Sequence, residues 1–246
     1  MKRLTTKPLP QLPSWDALND SIANCNRCPR LRTHCITMGQ IKRAAYRTQD
    51  YWAKPVPNLG PVTARLLILG LAPAAHGANR TGRLFTGDKS GDFLFEAMHA
   101  TGFANQPTSI HANDGLELID CAITGAAHCA PPGNKPLPNE LSACRDFLLQ
   151  TLDLLPAIRN GTGGILVLGK IAFDAALSLY KERGWLLPSQ PRPTFIHGAL
   201  YTFPNAPFLL CTYHPSQQNT FTKRLTQPML QDVFLTARRQ FDRSPA

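Results

Sequence analysis

The chain has 246 residues, and its 26 lysines and arginines outnumber its 16 aspartates and glutamates, which gives a net charge of +10. No apolar run approaches the roughly 18 residues that a membrane span needs, and the first residues lack the apolar stretch of a secretory signal, so we expect a cytoplasmic protein with no membrane partner. The excess positive charge favours a polyanionic partner, of which nucleic acid is the simplest.

The predicted elements begin with a loose, proline-rich arm over residues 1–13 and a short helix over residues 14–24, for which Ser14 is a suitable N-cap. Residues 25–65 are basic and irregular. Apolar runs then alternate with amphipathic stretches. The predicted strands are residues 65–70, 116–124, 164–169 and 208–214, and the predicted helices are residues 91–102, 137–155, 170–184 and 226–241. Residues 201–203 would add an edge hairpin.

Continuous apolar strands that alternate with helices are typical of a mostly parallel sheet covered by helices on both faces. We therefore predict a single α/β domain over residues 1–246, with three layers (α/β/α) around a central, mostly parallel four-stranded sheet. In such folds the functional side chains lie on loops beyond the carboxyl ends of the strands. The loops that qualify are residues 70–90, 124–136, 169–171 and 214–224.

Seven cysteines in a chain without an export signal favour metal binding or burial over disulfides. Cys25 and Cys28 form a C-x2-C pair, and Cys129 and Cys144 are a second, wider pair. Four thiolates can close a zinc site or hold a [4Fe–4S] cluster, and the unequal spacing suits the larger cluster. The alternative is that these four cysteines are buried thiols. For the remaining three we expect burial, because Cys121 and Cys211 lie within predicted strands, and we favour it for Cys35 over a role as a spare ligand.

The loop after the first strand, GLAPAAHGANRTGRLFTGD over residues 70–88, is rich in small residues that let a ligand approach the backbone. Arg80 and Arg83 are suited to phosphate, and Phe85 offers a flat face on which a base can stack. Asp88 is the first carboxylate of the loop. Each residue also has an ordinary structural explanation, which for Asp88 is an N-cap of the next helix.

The loop after the last strand begins with His214, whose turn is fixed by the following proline. Polar and basic side chains suited to DNA follow it, with two apolar residues between them. The polar and basic residues are Asn219, Thr220, Lys223 and Arg224, and the apolar ones are Phe221 and Leu225.

These two loops, together with the C-x2-C pair and CAPPGNKP at residues 129–136, resemble the type 5 (B-type) uracil-DNA glycosylases. Those enzymes are iron–sulfur members of the uracil-DNA glycosylase superfamily, and the resemblance covers nearly the whole chain. It implies an enzyme that extrudes uracil or another deaminated or modified base from DNA and hydrolyses its N-glycosidic bond, without a lyase step. Lys170 is the lysine that stays open as a lyase nucleophile.

The resemblance implies a role for each residue around the extruded base. His214 would donate to the uracil oxygen as a neutral imidazole, and Phe85 would stack on the base. Asn134 would read the base edge, because an amide offers both a donor and an acceptor. Backbone N–H groups near Ala72 and Ala74 would face the same pocket.

Other branches of the superfamily place a carboxylate or amide early in the first loop, where this chain has leucine and alanines. Water activation would then fall to Asp88, or be largely dispensed with because the departing base is well stabilised. Gly125 stands where the type 4 relatives carry the asparagine that reads uracil, so a roomier pocket and a broad substrate range are expected. His128 stands where we expect Arg or Lys, and it would reach phosphate only when protonated.

The resemblance also implies the DNA contacts and the cofactor. Asn219 would fill the gap left by the extruded base, and Thr220, Lys223, Arg224 and Arg80 would bind phosphates of double-stranded, and also single-stranded, DNA. A structural [4Fe–4S] cluster would be held by Cys25, Cys28, Cys129 and Cys144, with residues 14–35 and 129–144 around it. We expect a monomer, of a bacterial or archaeal type that works at the nucleoid.

Two alternatives remain open from the sequence. The first is a non-catalytic iron–sulfur or zinc module that binds nucleic acid, which explains the charge and the cysteines but not the His-Pro-Ser loop. The second is an enzyme that is narrowly specific for uracil, against which Gly125 and the alanine-rich loop argue.

Overall fold

A computed structural model describes residues 12–187, 189 and 191–243. Nearly all of the loose arm predicted over residues 1–13 therefore lies outside the described residues. Over the described ranges, no helix combines the length and the apolar character required to cross a bilayer.

The part of the chain that the structure describes contains nine α-helices, two 3₁₀ turns and five strands. The helices are α1 (Trp15–Ala23), α2 (Pro29–Ile41), α3 (Ala78–Thr81), α4 (Lys89–Ala100), α5 (Pro138–Leu154), α6 (Pro156–Arg159), α7 (Lys170–Glu182), α8 (Gln217–Phe221) and α9 (Gln227–Arg243). The 3₁₀ turns are Ala44–Tyr46 and Pro132–Asn134. The strands are β1 (Leu66–Gly70), β2 (Cys121–Gly125), β3 (Gly164–Leu168), β4 (Leu200–Phe203) and β5 (Ala206–Thr212).

The strands form one sheet in the order β2-β1-β3-β5-β4. All pairs are parallel except β4 with β5, which are antiparallel. The predicted α/β architecture with a mostly parallel sheet is confirmed, but the sheet has five strands, so the predicted number of four is wrong. The fifth strand is the edge hairpin expected at residues 201–203. Its side chains are only partly buried, so it lacks the continuous apolar run of the central strands.

Helices cover both faces of the sheet, and alternate residues of β1 face opposite cores. Leu66 and Ile68 pack with α4 and α9, while Leu67 and Leu69 pack with α5, α6 and α7. Every residue of the four parallel strands β1, β2, β3 and β5 is buried. Three layers therefore surround two apolar cores, as expected for a parallel sheet.

Two segments differ from the sequence-based prediction. The second strand begins at Cys121 rather than at residue 116, because Asp120 has a positive φ of 60° that interrupts the extended run. At this amino edge of the sheet, Asp120 pairs with Arg65 at 2.5 Å and with Arg238 of α9 at 3.5 Å. Helix α2 lies in a segment that was predicted to be irregular. The helix was not predicted because it buries only Leu31 and Cys35, so its apolar pattern is weak.

The order of the strands places a change of direction at β1. The chain passes from β1 to β2 on one side and later to β3 on the other, so the loops after β1 and β3 diverge at their carboxyl ends. Such a point in a parallel sheet leaves a crevice in which ligands bind. The loops after β1, β2 and β5 meet around this crevice.

Candidate active site

A cleft of about 830 Å³ opens at the carboxyl edge of the sheet. The loop after β1 contributes residues 74–77, and the start of α4 with the residues before it contributes residues 87–90. Residues 216–218 at the start of α8 form one wall, and three side chains between residues 43 and 49 form another. The lining therefore joins the two loops that the sequence singled out with a segment that it did not.

Phe85 and His214 face each other at the same edge of the sheet, although neither is among the residues that line the cleft. Their ring centroids are 6.1 Å apart and their planes differ by 35°. Phe85 adopts a positive φ of 52°, an uncommon conformation for an aromatic residue that turns the chain sharply before α4. The two rings belong to the loops after β1 and β5, so the fold brings together residues that are far apart in sequence.

The imidazole of His214 is neutral at physiological pH. Burial lowers the pKa of His214 to about 4, because the charged form loses its hydration. Neither ring nitrogen has a hydrogen-bond partner among the described residues, whereas the Nδ2 of Asn219 donates to the backbone oxygen of His214 at 2.8 Å. A neutral ring with an unused N–H is suited to donate to a ligand atom that becomes negative.

Asp88 combines an N-cap with a place in the cleft. Its Oδ1 accepts from the backbone N–H groups of Ser90 and Gly91, each at 3.0 Å, so the structural explanation considered for this residue is correct. Its Oδ2 lies against the first loop, where a Cβ added to Gly77 would be 1.9 Å away. Burial raises the pKa of Asp88, and the two amide hydrogen bonds oppose the rise.

Three further residues predicted for the pocket lie at or near the cleft. Ala74 lines it, and Ala72 is half-buried two residues earlier. Their backbone N–H groups have no acceptor within the part of the chain that is described, so both stay available as donors. Asn134 also lines the cleft, exposed at the end of a 3₁₀ turn with a positive φ of 57°.

The space next to β2 has no side chain at residue 125. Gly125 ends β2, and a Cβ there would lie 2.6 Å from the backbone oxygen of Ala127. The backbone of this chain therefore cannot carry an asparagine at that position without moving.

The two arginines of the first loop are buried. The guanidinium of Arg83 pairs with Asp114 at 2.7 Å and bonds to Ser109 and Thr86, so the expectation that it meets phosphate is wrong. Arg80 donates to the backbone oxygens of His76 and Gly87 at 2.8 Å and lines the cleft. Its role at phosphate stays a prediction.

Most of the proposed DNA contacts lie in helix α8, which the sequence did not predict, or just after it. Asn219 and Thr220 lie within it, and Lys223 and Arg224 are exposed just after it. The two apolar residues of the loop differ, since Phe221 is 75% exposed and Leu225 is fully buried in the core. Leu225 is therefore a packing residue.

The four cysteines proposed as ligands come from three segments that pack together. Cys25 and Cys28 lie between α1 and α2, Cys129 follows β2, and Cys144 lies in α5. Burial, with smaller contributions from the neighbouring thiols of Cys28 and Cys25, raises the pKa of Cys144 to about 11. Cys35 is buried beside Cys129 as a core residue.

The segment with the C-x2-C pair is fixed to α5 by two arginines. Arg30 binds both carboxylate oxygens of the buried Glu140 at 2.7 Å, and Arg27 donates to the backbone oxygen of Ala143 at 3.0 Å. Within the described ranges, no three His, Cys, Asp or Glu side chains stand close enough to be grouped as a site for a single metal ion. What favours a ligand set is its chemistry, because four thiols lie on segments of which two are joined by the ion pairs Arg30–Glu140 and Arg27–Asp146.

His128 is not available to phosphate, which corrects the expectation from the sequence. It is 1% exposed, and its Nδ1 is 2.8 Å from the backbone oxygen of Val56. Burial lowers the pKa of His128 to about 4. This ring is part of the core beneath the cysteines.

Several residues of the cleft were not predicted from the sequence, among them Arg43, Tyr46, Gln49 and His76. His76 lies inside the loop over residues 70–88, where a histidine among small residues was the available signal. The other three belong to the segment predicted to be irregular, and no periodicity marks them. Contacts with Arg80 hold Tyr46 and Gln49 in place.

Comparison with known proteins identifies the family of the chain. The model of the uracil DNA glycosylase superfamily matches residues 57–237. The "Type-5 uracil-DNA glycosylase" of Mycobacterium tuberculosis is 46% identical over 222 residues, which cover 90% of this chain and 80% of that protein. The protein of the same name from Thermus thermophilus is 43% identical over 224 residues, which cover 91% and 97%. The "Type-4 uracil-DNA glycosylase" of Archaeoglobus fulgidus is 30% identical over 51% of this chain. The chain therefore belongs to the uracil-DNA glycosylase superfamily, and it is similar over most of its length to the type-5 branch.

Proposed function

We propose that this chain removes uracil and other deaminated or modified bases from DNA by hydrolysing the N-glycosidic bond, without a lyase step. It is a DNA glycosylase by its family. The observation that carries the proposal is the neutral, half-buried imidazole of His214 facing Phe85 at the carboxyl edge of the sheet. Its substrate is a base extruded from duplex DNA, or already unpaired in a single strand.

The chemistry follows from the charge that develops as the base leaves. The bond between the sugar and the base breaks with both electrons going to the base, so negative charge grows on uracil O2 and the sugar becomes cationic. His214 donates a hydrogen bond to that oxygen, and the unused N–H groups of Ala72 and Ala74 add fixed dipoles. Phe85 stacks on the base, and Asn134 binds its edge.

Water must then add to C1′ of the sugar and lose a proton. Asp88 lines the cleft next to the loop after β1. Its Oδ2 has no hydrogen-bond partner in the described part of the chain. We assign it to the positioning of this water. Its raised pKa makes it a stronger base than an exposed aspartate.

The substrate range is broad in this proposal. The first loop offers alanine methyl groups where other branches have polar side chains, and the end of β2 has only Gly125. The pocket therefore excludes few bases by size or by a dedicated polar contact. Uracil, modified uracils and deaminated purines such as hypoxanthine are the expected substrates.

The DNA strand lies along α8 in this proposal. Thr220, Lys223 and Arg224 bind phosphates, with Arg224 preorganised by its contact with the Tyr213 ring at 4.5 Å. Asn219 was expected to fill the gap left by the extruded base, but its amide already holds the backbone of His214. The exposed ring of Phe221 is better placed to enter the base stack.

We also propose a structural [4Fe–4S] cluster on Cys25, Cys28, Cys129 and Cys144. The cluster would link the first two helices to α5 and to the loop after β2, and it supplies no step of the hydrolysis. Purified protein with a visible absorption band would support it, and colourless protein with bound zinc would contradict it. The chain acts as a monomer at the chromosome in this account.

The test is release of free base from duplexes that carry one uracil or one hypoxanthine. His214→Ala should lower the rate constant of excision about 10²–10³-fold, because it removes a donor to the developing anion. His99→Ala, which removes an exposed histidine of α4, is the matched control and should leave the rate unchanged.

Borohydride trapping tests the absence of a lyase step. Lys170 pairs with Asp174 at 2.5 Å and does not line the cleft, whereas Lys89 lines it and pairs with Asp92 at 3.1 Å. We expect no covalent adduct.

Unchanged excision by His214→Ala would refute the assignment of the site, and no excision of any base by the wild type would favour a module that only binds nucleic acid.

A further inference from the structure

The cleft has a second wall, made of residues 42–54, which lies outside the loops assigned to base and DNA binding. Arg43, Tyr46 and Gln49 from this segment line the cleft together with His76 of the first loop. We call residues 42–54 the Arg43 segment. Nothing in the proposed function so far uses it.

Arg80 holds the Arg43 segment in place. Its Nη1 donates to Oε1 of Gln49 at 2.6 Å, and its guanidinium lies 3.9 Å from the centre of the Tyr46 ring. The backbone N–H of Trp52 donates to the backbone oxygen of Arg80 at 2.9 Å. The segment is therefore fixed on the first loop before any ligand binds.

The segment orients the ring of His76 through the hydroxyl of Tyr51. The hydroxyl of Tyr51 accepts from the backbone N–H of Arg43 at 3.4 Å and lies 3.0 Å from Nδ1 of His76. Since the hydroxyl oxygen already accepts from Arg43, its own proton is free for Nδ1, which favours the His76 tautomer with hydrogen on Nε2. The His76 ring can then donate into the cleft.

Arg43 supplies an uncompensated positive charge at the same corner. The residue is exposed, and among the described residues its guanidinium has neither an ion pair nor a hydrogen bond. Burial lowers the pKa of His76, and the nearby charges of Arg43 and Arg80 lower it further. Of the nearby carboxylates, Asp92 pairs with Lys89 and Asp50 with Lys42, while Asp88 caps α4 through Oδ1 and leaves only Oδ2 free.

We propose that Arg43 and His76 together bind one phosphate of the DNA strand that carries the extruded nucleotide. The guanidinium offers paired N–H groups to the phosphate oxygens, and the imidazole adds a third donor. The strand would then be held from two sides, by α8 and by the Arg43 segment. This inference rests on the proposed function, since it takes damaged DNA as the ligand of the cleft.

The test uses a short duplex with one uracil, and a set of duplexes in which one phosphate near the uracil is replaced by an uncharged methylphosphonate. Arg43→Gln should raise KM roughly tenfold with kcat unchanged, the effect of losing one charged hydrogen bond. The slope of log affinity against log salt should fall by about one. One methylphosphonate should weaken the wild type by a similar factor and weaken Arg43→Gln no further.

Two more variants separate the contact from a structural effect. His76→Gln keeps a donor near the position of Nε2 and should retain most of the affinity, whereas His76→Leu should lose it. Arg159→Gln removes an exposed arginine at the end of α6, away from the cleft, and should keep the wild-type KM and salt slope.

The proposal is overturned if Arg43→Gln keeps the wild-type KM and salt slope, or if every methylphosphonate weakens the wild type and Arg43→Gln equally. These outcomes are distinct from failure of the proposed function. If the proposed function fails, the wild type excises no base from any duplex. Binding measurements with the same duplexes then still decide whether Arg43 contacts a phosphate.

Discussion

The two carboxylate oxygens of Asp88 have different surroundings. Oδ1 caps α4 through two amides, and Oδ2 lies against the first loop at the cleft. Substitution therefore changes stability and excision together unless the new side chain preserves the cap. Asparagine does so, because its side-chain oxygen is as good an N-cap as that of aspartate.

Asp88→Asn should keep the thermal midpoint of the wild type and lower the rate constant of excision about 10²-fold, since the amide cannot take a proton from water. Asp88→Ala should lower the rate to a similar extent and also lower the free energy of unfolding by about 1 kcal/mol, the cost of a lost cap. Single-turnover excision and urea unfolding measure the two effects. If Asp88→Asn excises uracil at the wild-type rate, Asp88 is only a cap, and stabilisation of the departing base suffices.

At the scale of single residues, the sequence predicted which side chains lie on the loops that follow parallel strands. Phe85 and His214 were brought together because both follow parallel strands. Arg80 and Arg83 were indistinguishable in the sequence, yet Arg83 is buried against Asp114. Which arginine finds a buried carboxylate is decided by packing over a distance of about thirty residues, and no local pattern records it.

At the scale of elements, α4 is positioned by a close contact with the loop that precedes it. A Cβ on Gly91, in its first turn, would lie 1.8 Å from the backbone oxygen of Phe85. The residue must be glycine for the Phe85 turn to approach the helix. This contact connects the geometry of the stacking ring to the start of α4.

Gly91→Ala should therefore destabilise the protein by about 2 kcal/mol or more, although alanine is the better helix former by roughly 1 kcal/mol. It should also lower uracil excision, because relief of the clash moves Phe85. Gly39→Ala in α2 is the matched control, since its Cβ would lie 3.1 Å from the Cβ of Ala53, which a small shift relieves. Thermal unfolding compares the two. Equal midpoints would show that α4 and the loop separate without cost.

The elements that the sequence predicted poorly are those with little buried surface. Helix α2 buries only two residues, and β4 is an edge strand with half-exposed side chains. The four parallel strands were predicted because most of their residues are apolar and all are buried. Periodicity reports burial, so elements held by ion pairs, such as the Arg30–Glu140 contact of α2 with α5, leave a weaker pattern.

At the scale of the whole molecule, His214 makes stability depend on pH. In the unfolded chain the imidazole has the ordinary pKa of 6.5, and in the folded protein burial lowers the pKa to about 4. Between these values the unfolded state binds more protons, so the free energy of unfolding falls as pH drops from 6.5 towards 4.

His214→Gln removes this titration, so the variant should lose less stability than the wild type on acidification. The difference in the loss between pH 7 and pH 4.5 should be about 1–2 kcal/mol, measured by urea unfolding at each pH. Other groups titrate alike in both proteins and cancel in the comparison. Parallel pH profiles would mean that the ring is hydrated in the folded state, which would also undermine its role as a neutral donor.

All the residues that line the cleft lie at one edge of the sheet, while the other edge is closed by the pairing of Asp120 with Arg65 and Arg238. This separation offers a handle for physical measurement. A dye or a surface linker joined at the exposed Thr162, in the turn before β3, would stand away from every proposed contact with DNA. The enzyme could then be tethered or tracked along a stretched duplex while its working face remains unmodified.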